Sequence, residues 1–162
     1  MSKQIVFAIV VFLHDLFTAV WIGGLITLAL TVLPSARQVL GKGAQMKTLL
    51  NAIQKRLSVL VYVSIVGLIL TGMLQANRNP AFEGLFHFGS AYSTALSLKH
   101  IAVVAMIGIT LLRSLVLGRR QEPLTPSQEK LNMGLLLLNM VLGIAVLLLT
   151  GVSVAYGSPP PA

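Results

Sequence analysis

The chain has 162 residues, of which 56% are hydrophobic and 10% charged, with a formal net charge of +8 and a mean hydropathy of +0.87. Soluble domains are typically about 45–50% apolar and about 25% charged, so this composition excludes a single water-soluble globular domain. The absence of cysteine excludes a disulfide scaffold, a thiolate metal site and an iron–sulfur cluster. The chain is therefore predicted to keep much of its apolar surface in lipid and to hold no separate soluble catalytic domain.

Four apolar stretches are long enough to cross a membrane, whose hydrocarbon core needs about 20 helical residues. The predicted spans are residues 4–33, 57–74, 92–117 and 131–156. They indicate an all-α integral membrane protein in which residues 1–162 form a single four-transmembrane-helix bundle. Pro34 is expected to end the first helix, and an amphipathic segment from Gln45 is expected to lead into the second. The first stretch is too long, and lacks a suitable Ala-x-Ala site, for a cleaved signal peptide.

Basic residues are concentrated in the first and third connections between these spans. Residues 34–56 carry no acid, whereas residues 118–130 also contain Glu122 and Glu129. The basic residues are Arg37, Lys42, Lys47, Lys55, Arg56, Arg119, Arg120 and Lys130. Since basic loops stay in the cytoplasm, both termini are predicted to lie outside a cytoplasmic (inner) membrane that the chain crosses several times. The charge then serves orientation and contact with anionic membrane lipid, and no nucleic-acid partner is expected.

Turn and cap signals mark the starts of the third and fourth helices. Gly89-Ser90 predicts a turn directly before the third helix. Thr125 or Ser127 is expected to cap the start of the fourth helix, because a hydroxyl oxygen there accepts a hydrogen bond from the first turn.

Few ionisable side chains lie inside the predicted spans, where a charge is costly and indicates a functional site by default. They are His14, Asp15, Lys99, His100 and Arg113. Arg113 is expected to extend its guanidinium towards the lipid headgroups. At about 1.5 Å per residue, His14 lies roughly 15 Å and His100 roughly 13 Å below the outer ends of their helices. The two imidazoles are thus predicted to reach the same level in the outer half of the bilayer.

Helical spacing assigns these residues to faces, because residues seven apart differ by only about 20° in direction. One face of the first helix carries His14, Thr18, Trp21 and Leu25, with Gly23 and Gly24 beside it. The third helix has one stripe of His100, Val104, Ile107 and Leu111 and a second stripe of Lys99, Met106 and Arg113. Lys99 and His100 both face the bundle only if the seam between these stripes points inward.

Small and polar residues predict close packing of the other two helices, since they let a neighbouring backbone approach. In the fourth helix this face contains Asn132, Asn139, Gly143, Thr150 and Ser153. Gly67 and Gly72 offer the same in the second helix.

Two imidazoles at one level are what a cofactor held between two helices needs, and axial histidine is a standard ligand of haem iron. We therefore predict b-type haem bound by His14 and His100, the two candidate metal ligands. Lys99 is either an alternative ligand or, like Arg78, a partner for the haem propionates, with Asp15 nearby. The predicted lining includes Phe17, Thr18, Trp21, Val104 and Met106. The alternative is that both histidines are hydrogen-bonded packing residues and that Asp15 and Lys99 form an ion pair.

The remaining histidine and the methionines leave other sites open. His87 is expected to be a plain loop residue of the second connection, or else a ligand that folds over the bundle or binds a metal at its entrance. Met73 and Met106 are expected to pack, although thioethers also bind Cu(I), so a copper ion is the alternative occupant.

The first helix resembles the opening helix of the copper-resistance D (CopD) family of bacterial inner-membrane proteins. The resemblance rests on Leu13-His14, on Trp21-Ile22-Gly23-Gly24 seven residues later, and on Leu33-Pro34. Shorter motifs similar to that family's later helices are Lys55-Arg56, Leu70-Thr71-Gly72, Tyr92 with Leu98-Lys99, Leu138-Asn139 and Leu142-Gly143. Membership implies a copper transport or copper-resistance function. The chain departs from larger CopD proteins in being a four-helix unit and in carrying His100 beside the lysine.

The spacing from His14 to Trp21 and the presence of Lys99 are also similar to the HemJ-type protoporphyrinogen oxidases, which are small haem-binding membrane proteins. That similarity implies an intramembrane haem site including His14 and Lys99. After Gly24 the chain departs from the HemJ pattern, since Leu25-Ile26-Thr27-Leu28 replaces an aromatic-rich stretch and Ser35 follows Pro34.

The leading hypothesis from the sequence is a haem-binding membrane protein for electron transfer or redox sensing. The alternatives are copper transport, a HemJ-like oxidase, and a small subunit of a respiratory complex. The expected protein partner is a redox partner protein or a larger membrane complex. Whether the chain is an enzyme stays open at this point.

Overall fold

The computed structural model describes residues 2–41, 43–76, 78, 82, 84–117 and 125–157, and every regular element within them is helical. The α-helices are α1 (Lys3–Thr27), α2 (Leu33–Leu40), α3 (Ala44–Ala76), α4 (Ala91–Leu111) and α5 (Pro126–Gly157). Two π-helical segments, Leu28–Val32 and Leu112–Leu117, follow α1 and α4. The basic residues Lys42, Arg119 and Arg120 and the acid Glu122 lie outside the described residues.

Four helical stretches are long and apolar enough to cross a membrane. They are Lys3–Leu40, Ala44–Ala76, Ala91–Leu115 and Pro126–Gly157. Each exposes large apolar side chains along its length, such as Phe12, Val63, Ile101 and Leu148. Such exposure is unfavourable in water and natural in lipid, so the structure indicates a multi-pass membrane protein. The prediction of an all-α chain with four such helices is confirmed.

The chain folds as two compact units, Met1–Asn77 and Arg78–Ala162. In the first unit α1 packs against α3, and in the second unit α4 packs against α5. Both pairs are antiparallel. In the first unit His14 contacts Thr71 while Gly24 lies against Leu57; in the second, Tyr92 lies against Gly157, whereas Arg113 bonds with Asn132.

Pro34 does not end the first helix, which runs on to Leu40, so the expectation of a break at Pro34 is wrong. A proline inside an α-helix normally removes one hydrogen bond and its ring collides with the carbonyl four residues earlier. Here the π-helical segment Leu28–Val32 comes just before it, and the amide of Leu33 bonds to the carbonyl of Leu28, five residues back. The wider turn changes the register of the carbonyls, which accommodates the ring without stopping the helix.

Side-chain caps set the starts of the helices in the second unit. Ser90 and Ser93 form a reciprocal capping box at the start of α4, with N–H to Oγ distances of 3.1 and 2.9 Å. Thr125 and Gln128 exchange equivalent bonds of 3.3 and 3.0 Å at the start of α5. Of the two predicted caps for that helix, Thr125 is therefore the one in place, because its hydroxyl satisfies an otherwise unbonded amide.

Glycine allows α1 and α3 to meet closely at two levels. The ring of Phe17 lies on the α-carbon of Gly67, where any Cβ would overlap it. A Cβ on Gly24 would come within 2.9 Å of Leu57 Cδ1. Gly24 and Gly67 thus have the predicted packing role, whereas a Cβ on Gly23 would meet nothing within 4 Å.

The predicted small and polar face of α5 is confirmed. Asn139, Gly143 and Ser153 are buried on this face, and Asn132 and Thr150 are half-buried. Two hydrogen bonds tie it to the preceding helical segment of the second unit: Asn139 Nδ2 donates to Thr110 Oγ1 at 3.1 Å, and Arg113 Nε donates to Asn132 Oδ1 at 2.9 Å. Arg113 is thus bonded to another helix, whereas the sequence suggested only an extended side chain reaching the headgroups.

Candidate functional site

His14 lies half-buried on α1, where its imidazole is bonded to the neighbouring helix α3. The distance between His14 Nδ1 and Thr71 Oγ1 is 2.9 Å. The Thr71 hydroxyl in turn donates to the carbonyl oxygen of Gly67 at 2.6 Å, with a longer approach of 3.4 Å to that of Leu68. The single hydroxyl hydrogen is thereby directed at the backbone, so Thr71 Oγ1 must accept from the imidazole.

This hydrogen-bond direction determines the tautomer of His14. A neutral imidazole carries one proton, and here the proton lies on Nδ1, facing Thr71. The lone pair of the ring is consequently on Nε2. That is the arrangement found where a histidine binds a metal through Nε2 and donates its other N–H to a neighbouring acceptor.

A second residue of α3, Gly72, lies beside this ring. Cε1 of His14 lies 3.6 Å from where a Cβ on Gly72 would be, an ordinary van der Waals distance. Gly72 therefore lies beside the first helix, at the level of His14.

Thr18 and Trp21 continue the His14 face towards the other end of α1. The Thr18 hydroxyl donates to the carbonyl of His14 at 2.9 Å. Trp21 is 1% exposed, and within the described part of the chain its indole N–H has no acceptor. A buried donor without an acceptor costs about 1–3 kcal/mol, so Trp21 Nε1 is a position where a bound group or a water with a lone pair would be stabilised.

His100 is half-buried on α4, and its ring is held by its own helix. Nδ1 of His100 lies 2.7 Å from the carbonyl oxygen of Leu96, one turn earlier. A carbonyl only accepts, so the Nδ1 proton must be present in this bond. The neutral ring then has its lone pair on Nε2, the same tautomer as in His14.

The two predicted stripes of the third helix differ in burial. Met106 is 1% exposed, and Arg113 of the same stripe bonds to α5. Val104 is 63% exposed, and Leu111 of the His100 stripe is exposed as well. Lys99 and His100 are both half-buried; whether the seam between the stripes points inward stays a prediction.

Arg78 and Asp15 lie at exposed positions of their units. The predicted roles of Arg78 beside a propionate and of Asp15 beside Lys99 stay predictions.

His87 has a different hydrogen-bond arrangement from the other two histidines. It is exposed in the loop before α4, as expected for a loop residue, and Gly89 N–H donates to its Nδ1 at 3.3 Å. In the neutral ring the proton is then on Nε2. The loop is held by backbone groups instead: His87 N–H donates to Ser97 Oγ at 2.9 Å, and that hydroxyl donates back to the His87 carbonyl at 2.8 Å.

The structure thus places the candidate residues in two groups. His14, Thr18 and Trp21 belong to the first unit, and Arg78, Lys99, His100 and Met106 belong to the second. The meeting of the imidazoles of His14 and His100 involves both units and stays a prediction. Among the residues that the structure describes, no group of three or more His, Asp or Glu side chains is arranged to hold a metal ion.

Sequence reasoning missed the Nδ1 partners of both candidate ligands. The Leu96 carbonyl is four residues before His100, so its position could have been read from the helix alone. Thr71 is 57 residues from His14, and only the register between α1 and α3 brings the two together.

Comparison of the chain with protein-family models, with curated proteins and with solved structures gave no match. The similarities to the CopD family and to the HemJ-type oxidases therefore rest on the sequence motifs alone.

Proposed function

We propose that this protein binds b-type haem within the membrane, with His14 and His100 as axial ligands, and serves electron transfer or redox sensing. One observation carries the proposal: each of these two imidazoles donates its Nδ1 proton to an oxygen, Thr71 Oγ1 or the Leu96 carbonyl. Both rings therefore have Nε2 as their ligand atom. Axial histidines of haem commonly bind the iron in this way.

One further group is consistent with a bound molecule. The indole N–H of Trp21 is a buried donor without an acceptor in the described part of the chain. Met106 is already covered by protein atoms, at 1% exposure, and its place in the haem lining stays a prediction. Lys99 and Arg78 carry the positive charges that would bind propionates, with Lys99 as the alternative second ligand. When bound, haem supplies one-electron redox chemistry, whereas the chain orients its ligand nitrogens and limits access of water.

The proposal is tested by the optical spectrum of the purified protein, prepared from cells that make haem. We expect a haem Soret band with α and β bands on reduction, and loss of haem in His14→Ala and in His100→Ala. His87→Ala is the matched control, because its ring is arranged differently and lies in a loop. A haem-free protein, or variants that keep full haem content, would contradict the proposal.

Metal analysis of the same preparation distinguishes the copper alternative. Copper in the absence of haem, lost in Met106→Leu, would favour a copper transport function over the one proposed. Met73 gives that alternative little support, because its side chain is 63% exposed. Accumulation of protoporphyrinogen on deletion would favour a HemJ-like oxidase, and a stably co-purifying complex would favour a respiratory subunit.

We further propose that the protein crosses a cytoplasmic membrane with both termini outside, since the basic connections then face the cytoplasm. The chain contains no cysteine, so single cysteines report position without background. We expect a membrane-impermeant maleimide to label Phe88→Cys in intact cells and Thr48→Cys or Ser127→Cys only after permeabilisation. The reverse pattern would show the opposite orientation.

A further inference from the structure

We propose that Thr71 is the positioning residue for His14, fixing which ring nitrogen carries the lone pair and where that nitrogen points. The inference rests on the proposed function, because it assigns Thr71 a role towards a haem ligand. It concerns a side chain on α3 that contacts the ligand histidine of α1 across the helix interface.

The geometry gives Thr71 a defined hydrogen-bond direction. Its hydroxyl donates to the Gly67 carbonyl at 2.6 Å, a short bond within α3. The side chain is buried and its hydroxyl is bonded to its own helix, so its rotamer is restricted. The hydroxyl oxygen is therefore a fixed acceptor, and it lies 2.9 Å from His14 Nδ1. Two consecutive hydrogen bonds thus connect the His14 imidazole, the Thr71 hydroxyl and the Gly67 carbonyl.

Packing next to these two hydrogen bonds fixes the register between α1 and α3. Phe17, three residues after His14, sits on the α-carbon of Gly67, whose carbonyl accepts the hydrogen bond from Thr71. The Cε1 side of the His14 ring faces Gly72. The same short stretch of α3 therefore packs tightly against α1 at Gly67 and orients the histidine by hydrogen bonding at Thr71.

The Nδ1 partner of His14 is a side-chain hydroxyl, so a substitution at Thr71 can remove it. The Nδ1 partner of His100 is a backbone carbonyl, which stays in place whatever side chain is present. A ligand histidine that donates its second N–H to an acceptor is a stronger base, and loss of such an outer partner typically lowers metal affinity by about 10- to 100-fold. Removing the Thr71 hydroxyl is therefore expected to weaken the His14–iron bond and to raise the midpoint potential, since a weaker donor stabilises ferric iron less.

The test compares Thr71→Val, which keeps shape and loses the hydroxyl, with Thr71→Ser, which keeps the hydroxyl. Thr150→Val is the matched control, because Thr150 donates to its own helix in the same way but receives no bond from an imidazole among the described residues. Three quantities are measured in each full-length protein: haem affinity, midpoint potential, and the ¹⁵N shifts of histidine in the haem-free form at about pH 8.5, where an ordinary imidazole is neutral.

In Thr71→Val we expect a fall in haem affinity of about 10- to 100-fold, a higher midpoint potential, and loss of the Nδ1–H tautomer at His14. Thr71→Ser and Thr150→Val should match the unsubstituted protein. If Thr71→Val does not fold, Thr71→Ala with the same readouts replaces it. An unchanged tautomer and potential in the folded variant would overturn the inference while leaving haem binding intact. A wild-type protein that binds no haem would instead overturn the proposed function, and the ¹⁵N shifts would still decide the role of Thr71.

Discussion

The two helix pairs orient their histidines in different ways. In the first unit, α1 supplies His14 and α3 supplies its Nδ1 partner, so the arrangement exists only when the two helices are packed in register. In the second unit, α4 supplies both His100 and the Leu96 carbonyl, so one turn of helix is sufficient. The same tautomer thus depends on packing between two helices in the first unit and on a single helix in the second.

The interfaces of the two pairs also differ in their main contacts. Both have a close glycine contact, Tyr92 against Gly157 in the second pair, but the tightest one is Phe17 on Gly67 in the first pair. Side-chain hydrogen bonds connect α5 to the helical segment before it, through Asn139 with Thr110 and Asn132 with Arg113. Lipid provides little hydrophobic drive for association between helices, so packing and hydrogen bonds are the available sources of stability. The first pair is therefore expected to be sensitive to volume and the second to polarity.

The largest effect is expected from volume in the first pair. Gly67→Ala places a methyl group where the Phe17 ring lies, and overpacking of this kind costs about 1–3 kcal/mol. Gly108→Ala on α4 is the control, because its added methyl meets nothing within 4 Å and removes a helix-weakening glycine. Unfolding in mixed micelles measures both. Equal stability of the two variants would show that the α1–α3 contact is not tight.

An intermediate effect is expected where the loop joins α4. Ser97→Ala removes both hydrogen bonds that hold the His87 backbone. Because His87 is exposed and water can replace these bonds, we expect a loss of about 1 kcal/mol, the lower end for two bonds of about 0.5–1.5 kcal/mol each. His87→Ala leaves both in place and should change the free energy of unfolding by less than about 0.5 kcal/mol. Hydrogen exchange of the His87 amide gives a second readout, with faster exchange in Ser97→Ala alone. The opposite ranking would mean that the imidazole, and not the backbone, holds the loop.

The smallest effect is expected for the polar contact between α4 and α5. A double-mutant cycle with Thr110→Val and Asn139→Leu isolates the coupling between these side chains, which averages about 0.6 kcal/mol for hydrogen bonds in membranes. Asn139 is fully buried, and its Oδ1 has no partner in the part of the chain that the structure describes. Asn139→Leu alone should therefore cost little. A loss of several kcal/mol would indicate that Oδ1 has a bound partner.

Most of the architecture follows from residue patterns that are local in the chain. Long apolar runs give the four helices, and Thr125 and Ser90 give two of their starts. The passage of the first helix through Pro34 was not predictable in this way, since it depends on a π-helical turn formed by four apolar residues and a threonine, Leu28–Val32.

The candidate site likewise contains features that follow from local sequence and one feature that does not. Burial of Trp21 and Met106 agrees with their helical faces, and the Leu96 partner of His100 is set by helix geometry. The hydrogen bond between His14 and Thr71 could not be predicted from the sequence, because hydropathy does not determine the register between two apolar helices. A threonine beside a glycine, as in Thr71-Gly72, was visible as a motif but not as a hydrogen-bond partner.

Low-temperature electron paramagnetic resonance with near-infrared magnetic circular dichroism of the ferric protein tests axial ligation by two histidines most directly. Ligation by His14 and His100 predicts a low-spin ferric haem with the charge-transfer band of bis-imidazole ligation, abolished by either His14→Ala or His100→Ala. The band of a histidine–amine pair, abolished by Lys99→Met and retained in His100→Ala, would contradict ligation by His100 and assign the second ligand to Lys99.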